Sequence, residues 1–336
     1  MQIFINLLLL IVGLVGLIKA SDVFVDASSS LATKLRMPKM LIALTIAAFG
    51  TCAPELAISF NSIADGNYDM TLANVVGSCI VNILLIVGVA TLVKPIHVHE
   101  QTVKKELPIL LLITSVFFVM LNDSIFRNRE NGLSRIDAII LLDLFLVFVG
   151  YIIAVVHRHR TKKHRGRPPK AKYPLWKSLL YIVITLAIII IASDIVVDSA
   201  SALALEMGIS QKIITMTAIV IGTSLPELTM TVGASRKGEF DMAVGNIIGT
   251  NIFNICIVLG LPTLIYGGFT STAFNIIDTL VVLIAAVAFF FFGRTNKKLT
   301  RLEGFFMVAI FAAYYTYLFL AWTFIIRDKN CTNNNI

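Results

Sequence analysis

Charge is what this chain has least of. Only 14% of its 336 residues are Asp, Glu, Lys or Arg, where a soluble domain carries roughly 25%. The shortage excludes a water-exposed surface over most of the chain. Cysteine is scarce too: Cys52, Cys79 and Cys256 fall in apolar stretches and Cys331 in a polar tail. Their spacing fits neither a disulfide framework nor a thiolate metal site. The five histidines occur only in polar segments, so a buried imidazole cannot serve as base or ligand. No covalent catalysis is expected, and the chain is not read as an enzyme.

Apolar sequence fills the space. Hydrophobic residues make up 57% of the chain and mean hydropathy is +0.86. Runs of about 20 apolar residues recur, the length that crosses a bilayer. Ten spans are expected, near 3–25, 39–63, 70–92, 107–121, 136–156, 174–197, 211–235, 242–265, 273–293 and 303–326. Met1 to Leu17 lacks the basic start of a signal peptide and reads as part of the first span. The expected fold is an all-α integral membrane protein.

The formal charge of +8 is concentrated. Eight cations lie between Arg158 and Lys172, a polybasic segment of the kind that stays cytoplasmic. Arg165-Gly166-Arg167-Pro168 resembles a minor-groove hook, but its setting between spans favours the retention signal, and no nucleic acid partner is expected. With that segment inside, the loops on its face hold 21 Lys and Arg and the opposite loops hold six. Ten spans then leave both termini outside. Asn122-Asp123-Ser124 and Asn330-Cys331-Thr332, on that outer side, match the glycosylation pattern.

The sequence also repeats itself. Gly50-Thr51-Cys52-Ala53-Pro54-Glu55 returns as Gly222-Thr223-Ser224-Leu225-Pro226-Glu227, an offset of 172. At the same offset Ser21 to Asp26 matches Ser193 to Asp198, Asn74 matches Asn246, and Asn82 matches Asn254. Ser134 to Ala138 resembles Thr300 to Gly304 at an offset of 166. Glu55 and Glu227 lie five spans apart, so the copies cross the membrane in opposite directions. Basic Lys34, Arg36 and Lys39 become Glu206, Gly208 and Gln211 in the second copy, whereas Ala64 and Asp65 become Arg236 and Lys237. That exchange is what the positive-inside rule produces in an inverted repeat. The expected organisation is a first five-span repeat at 1–156, a basic cytoplasmic linker at 157–173, an inverted five-span repeat at 174–326 and a polar extracellular tail at 327–336.

Each repeated segment carries its own chemistry. Proline in a helix lacks an N–H and clashes with the carbonyl four residues back, here Gly50 and Gly222. In hydrocarbon a freed carbonyl needs another partner, and a cation is one. Each glutamate follows its proline directly. On the next span Asn74, Ser78 and Asn82 share one helical stripe, as do Asn246, Thr250 and Asn254. Two carboxylates facing neutral oxygens make an oxygen shell, suited to Ca²⁺ or Na⁺ rather than Zn²⁺. A kink or a polar bridge between helices would explain any one of these residues, but not the matched pair. A net −2 charge, with no embedded cation beside it, requires a cationic cargo. Asp22, Asp26, Asp194 and Asp198 sit near span ends and read as interfacial. Asp143, within the fifth span, is a proton-relay candidate.

These two motifs resemble the paired α-repeats of the calcium/cation antiporter superfamily, and the chain is identified as a prokaryotic-type member of the sodium/calcium exchanger family. The resemblance implies Ca²⁺/Na⁺ antiport by alternating access, without a prosthetic group, in a cell (plasma or inner) membrane and by a single chain. It implies that Glu55 and Glu227 bind both ions, and that Thr51 and Thr223 offer backbone carbonyls. Ser224 and, in its place in the first copy, Cys52 offer side chains. Ser78, Asn82, Thr250 and Asn254 complete the implied set. Cys52 is a soft ligand where the family uses a hydroxyl. Asn254 stands where potassium-dependent members carry Asp. A Ca²⁺/H⁺ exchanger and a cation channel are the alternatives. The first and sixth spans resemble the family's gating helices.

Overall fold

The computed structural model describes residues 2–126, 130–161, 171–207, 222–271 and 276–333, with side chains to residue 320. The centre of the basic linker, the start of the expected seventh span, and Arg127, Arg129 and Lys212 lie outside the described residues; Arg327, Lys329 and Asn330 lie in described backbone, beyond the described side chains.

The chain is almost wholly helical. In order come α1 (Gln2–Leu35), the bent pair α2 (Lys39–Thr51) and α3 (Ala53–Ala64), α4 (Tyr68–Val93), α5 (Leu107–Leu121), α6 (Arg135–Thr161), α7 (Leu175–Glu206), α8 (Leu225–Lys237), α9 (Phe240–Tyr266), α10 (Ile276–Arg294) and α11 (Arg301–Asn333). Among the described residues seven helices are long and apolar enough to cross a membrane, or eight if the bent pair is one span. Ten were expected. α5 has only 15 residues, about 22 Å of helix, and is prolonged by a π-helical turn at Thr102–Glu106. α8 begins three residues after the described chain resumes at 222.

Burial sorts the helices. The apolar windows of α4 and α9 are 78% and 83% buried, whereas those of α6 and α11 are each 17% buried. α4 and α9 therefore form the centre, and the others present Ile, Leu, Val and Phe outward, as lipid contact requires. Both central helices contain a π-helical turn, Val81–Ile86 and Asn254–Leu259, a feature frequent at functional sites.

Local geometry recurs at the offsets seen in the sequence. The breaks fall at Cys52 and Ser224, with φ,ψ of −79°, 2° and −90°, 1°. α3 and α8 end on left-handed glycines, Gly66 (φ 71°) and Gly238 (φ 77°). In each, the second amide onward bonds back across the turn, Asn67 N to Ser62 O at 2.7 Å and Glu239 N to Ala234 O at 2.9 Å, the Schellman pattern. α6 and α11 open with reciprocal capping boxes. Ser134 N donates to Asp137 Oδ2 at 2.9 Å and Asp137 N to Ser134 Oγ at 3.2 Å; Thr300 N donates to Glu303 Oε2 at 2.6 Å and Glu303 N to Thr300 Oγ1 at 3.4 Å. Two short antiparallel pairs join the halves, Ile96–His97 with Lys298–Leu299 and Gly132–Leu133 with Phe269–Thr270.

One sequence expectation is corrected here. Asn122 is buried, and its amide donates to Phe118 O at 2.7 Å and Thr279 Oγ1 at 2.9 Å. It ties α5 to α10 and offers no surface for a glycan.

Candidate ion-binding site

Proline shapes the site first. Pro54 and Pro226 each occupy the first turn of a helix that starts directly after the break, where the missing N–H costs nothing. α2 and α3 meet at 46°. Cys52 O accepts from Leu56 N at 3.0 Å and Ser224 O from Leu228 N at 3.0 Å, so each new helix is bonded from its first residue. Glu55 and Glu227 thus lie in first turns, where the helix dipole favours a negative charge.

Both glutamates are fully buried, at 0% exposure. None of their four carboxylate oxygens has a hydrogen-bond partner among the described residues. They lie within each other's electrostatic field. The halves interlock: Thr223 faces the Glu55 carboxylate and Thr51 faces that of Glu227.

The central helices bring the remaining oxygens. Ser78, Asn82, Thr250 and Asn254 are all at 0% exposure, and their side-chain polar atoms have no partner among the described residues. The hydroxyls of Thr223 and Ser224 are likewise buried and unpaired. A buried polar group without a partner costs about 1–3 kcal/mol. So many together mark a place built for something that supplies the missing contacts. Among the described residues no group of three or more His, Cys, Asp or Glu is placed to hold a metal. The glutamates are the charged members of the set, and neutral oxygens make up the rest.

Asn74 and Asn246 have a different task. Asn74 Nδ2 donates to Glu55 O at 3.1 Å and Ser59 Oγ at 3.4 Å, and Asn246 Nδ2 donates to Thr231 Oγ1 at 3.1 Å. They brace α4 against α3 and α9 against α8, fixing the helices that carry the carboxylates. Cys52 is held differently from Ser224. Its thiol donates to Thr250 O at 3.8 Å, whereas Ser224 Oγ is unpaired. Asp143 lies on the exposed side of α6, outside this cluster, and its reading as a relay is not supported.

Two residues escaped the sequence reading. Asn251 is at 0% exposure, with Nδ2 on Ile247 O at 2.7 Å and Oδ1 unpaired. Its counterpart in the first copy is Cys79, so comparing copies passed over it. Glu106 is buried at 1% exposure and accepts from Tyr151 OH. Its signal was a carboxylate directly before the apolar run of α5.

Close packing holds α9 in place. A Cβ on Gly249 would lie 2.7 Å from Leu44 O and 2.8 Å from Ala48 Cβ; one on Gly245 would lie 2.8 Å from Met40 Sδ. Glycine lets α9 approach α2 backbone to backbone.

Known proteins resemble this chain over most of its length. A family profile described as sodium/calcium exchanger protein matches residues 5–154 and 177–320. The inner membrane protein YrbG of Escherichia coli K12 is 39% identical over 290 residues, covering 84% of this chain and 86% of that one. The sodium/calcium exchanger MaX1 of Methanosarcina acetivorans is 30% identical over 346 residues, covering 94% and 99%. The solved structure of the sodium-calcium exchanger NCX_Mj superposes with a TM-score of 0.79 at 26% identity, covering 94% of this chain and 99% of that one.

Proposed function

Because the chain belongs to the sodium/calcium exchanger family, a family of membrane antiporters, we propose that it exchanges Ca²⁺ for Na⁺ across a cell membrane. Both ions use one central pocket in turn, bounded by Glu55 and Glu227, with Thr51, Thr223, Ser224, Ser78, Asn82, Thr250 and Asn254 supplying neutral oxygens and Cys52 a soft edge. The observation that carries this reading is the pair of buried carboxylates whose four oxygens are unpaired among the described residues. Two adjacent charges at bilayer depth are costly when empty. One Ca²⁺, or more than one Na⁺, neutralises them, and neither can enter while the other is bound. Alternating access then couples the two fluxes.

The proposed architecture is ten spans as two inverted five-span repeats, termini outside and the 157–173 segment cytoplasmic. Support comes from the recurring breaks, glycine caps, π-helical turns and capping boxes, together with the loop charges. Joining both halves in one chain lets a single copy work alone.

Coupling to H⁺ is the rival. Full-length protein in proteoliposomes, given a Na⁺ gradient or a pH gradient separately, should accumulate ⁴⁵Ca²⁺ only with the Na⁺ gradient. Accumulation that follows the pH gradient and ignores Na⁺ would overturn the assignment. A channel would dissipate a Ca²⁺ gradient without external Na⁺.

The asymmetry at Cys52 has its own expected outcome. Cys52→Ser places a hard oxygen where the thiol leans on Thr250 O. Transport persists, and the Na⁺ concentration that half-inhibits Ca²⁺ uptake falls. One added oxygen contact is worth about 1 kcal/mol, or roughly fivefold. An unchanged or raised Na⁺ requirement would place Cys52 outside the ion's reach.

A further inference from the structure

α1 and α7 are the long helices that flank the site. They cross closely, with Gly13 of α1 against Val196 and Ala192 of α7. What fastens them to the rest differs between the two ends of the molecule.

At the end that carries the basic segment, Asp26 of α1 is bridged twice. Lys237, at the last turn of α8, places Nζ 2.7 Å from Asp26 Oδ1 and 3.8 Å from Asp22 Oδ1, and donates to Asp22 O. Lys172, just before α7, places Nζ 2.5 Å from Asp26 Oδ2, and Asp26 raises the pKa of that ammonium. Tyr173 N donates to Ser30 Oγ at 3.3 Å. One turn further, Ser29 Oγ donates to Glu239 Oε1 at 3.3 Å, and Glu239 also holds Lys39 at 2.6 Å. A single carboxylate on α1 therefore ties together α1, the entry to α7, and the helix that carries Glu227.

The offset of 172 tests whether the other end has the same device. Asp22 and Asp26 correspond to Asp194 and Asp198, but Lys237 corresponds to Asp65. Asp194 and Asp198 are exposed, and no ion pair to either is seen among the described residues. At the position that matches Lys237 stands the carboxylate of Asp65.

We propose that Asp26, Lys237 and Lys172 form a one-sided latch that holds the basic end of the transporter closed against α8, biasing the resting protein toward access from the opposite face. This rests on the alternating-access reading given above. The latch groups are partly exposed, with side chains of Asp26 and Lys237 at 25% and 26% and Lys172 at 60%. Such a network is strong enough to shift a population and weak enough to open in each cycle.

The consequences are sided. A face whose open state is rarely populated binds its ion with an apparent affinity reduced by that fraction. Breaking the latch raises the fraction at the basic face and leaves the already favoured opposite face almost unaffected.

The test uses full-length protein in proteoliposomes of fixed orientation, with the variants Lys237→Gln, Asp26→Asn and the charge swap Asp26→Lys with Lys237→Asp. Half-saturating Ca²⁺ is measured at each face. Each single variant is expected to lower it roughly three- to tenfold at the basic face, the size of a partly exposed ion-pair network, and to change it less than twofold at the other. The charge swap remakes the bridge to α8 but sets a cation against Lys172, so it is expected to recover only part of the shift, and adding Lys172→Asp to the swap is expected to recover the rest. A second readout needs no transport: labelling of native Cys52 by a membrane-impermeant thiosulfonate from the basic face, quantified by peptide mass. Its rate should rise by the same factor in the single variants. Single variants that alter neither face, or both equally, or leave the Cys52 rate unchanged, would overturn the latch. A wild-type protein without Na⁺-coupled Ca²⁺ flux would instead overturn the exchanger reading, and the labelling rates would still decide the latch.

Discussion

Glu55→Gln and Glu227→Gln each abolish Na⁺-driven Ca²⁺ uptake while the protein remains folded. Both carboxylates are fully buried, and among the described residues none of their oxygens is within a hydrogen bond of a partner. Each therefore meets a divalent ion with its full charge. Removing one partner of a buried charge interaction costs about 2–5 kcal/mol, which is roughly 30-fold to several thousandfold in affinity. The empty pocket behaves in the opposite way. Two adjacent carboxylates repel, so a neutral amide relieves strain and the Ca²⁺-free variant is at least as stable as the wild type. Thermal unfolding in detergent separates the two effects. The wild type gains stability as Ca²⁺ rises, as any ligand specific to the folded state requires, and either Gln variant loses that gain. A variant still stabilised by Ca²⁺ to the wild-type extent would remove its glutamate from the site.

Gly249→Ala should be nearly as damaging, by another route. Its Cβ would enter within 2.8 Å of Leu44 O, Leu44 Cα and Ala48 Cβ. Backbone atoms cannot rotate away, so α9 must move off α2, carrying Thr250 and Asn254 with it. Overpacking of this kind costs about 1–3 kcal/mol, and the displaced oxygens cost function beyond that. Gly260→Ala is the control. Its nearest neighbours lie at 3.5 Å, an ordinary contact, and a helical glycine replaced by alanine gains up to about 1 kcal/mol. Gly249→Ala should lower both the melting temperature and the uptake rate, and Gly260→Ala neither. Equal behaviour of the two would mean that the α2–α9 approach does not position the site.

Much of this was legible in the sequence because the chain carries its own comparison. Duplication of Pro-Glu located both breaks, and the structure puts them at Cys52 and Ser224. The stripe at Asn74, Ser78 and Asn82 was visible as spacing, but its division of labour was not. Asn74 spends its amide on Glu55 O and Ser59, which depends on how α3 and α4 cross. Asn251 stayed hidden because Cys79 occupies its counterpart. Asp143 was a relay candidate only because it is a carboxylate in an apolar run, and periodicity does not say which way a helix faces. The Asp26–Lys237–Lys172 network joins residues up to 211 positions apart, and only the folded chain brings them together.

The central claim is that one pair of carboxylates serves both ions in turn. Equilibrium ⁴⁵Ca²⁺ binding to the purified full-length protein, with Na⁺ as competitor, tests it most directly. The account predicts one Ca²⁺ per chain, displaced completely by Na⁺ with a concentration dependence steeper than first order, and no binding in Glu55→Gln or Glu227→Gln. Ca²⁺ that stays bound at saturating Na⁺, or binding that survives either substitution, would contradict it.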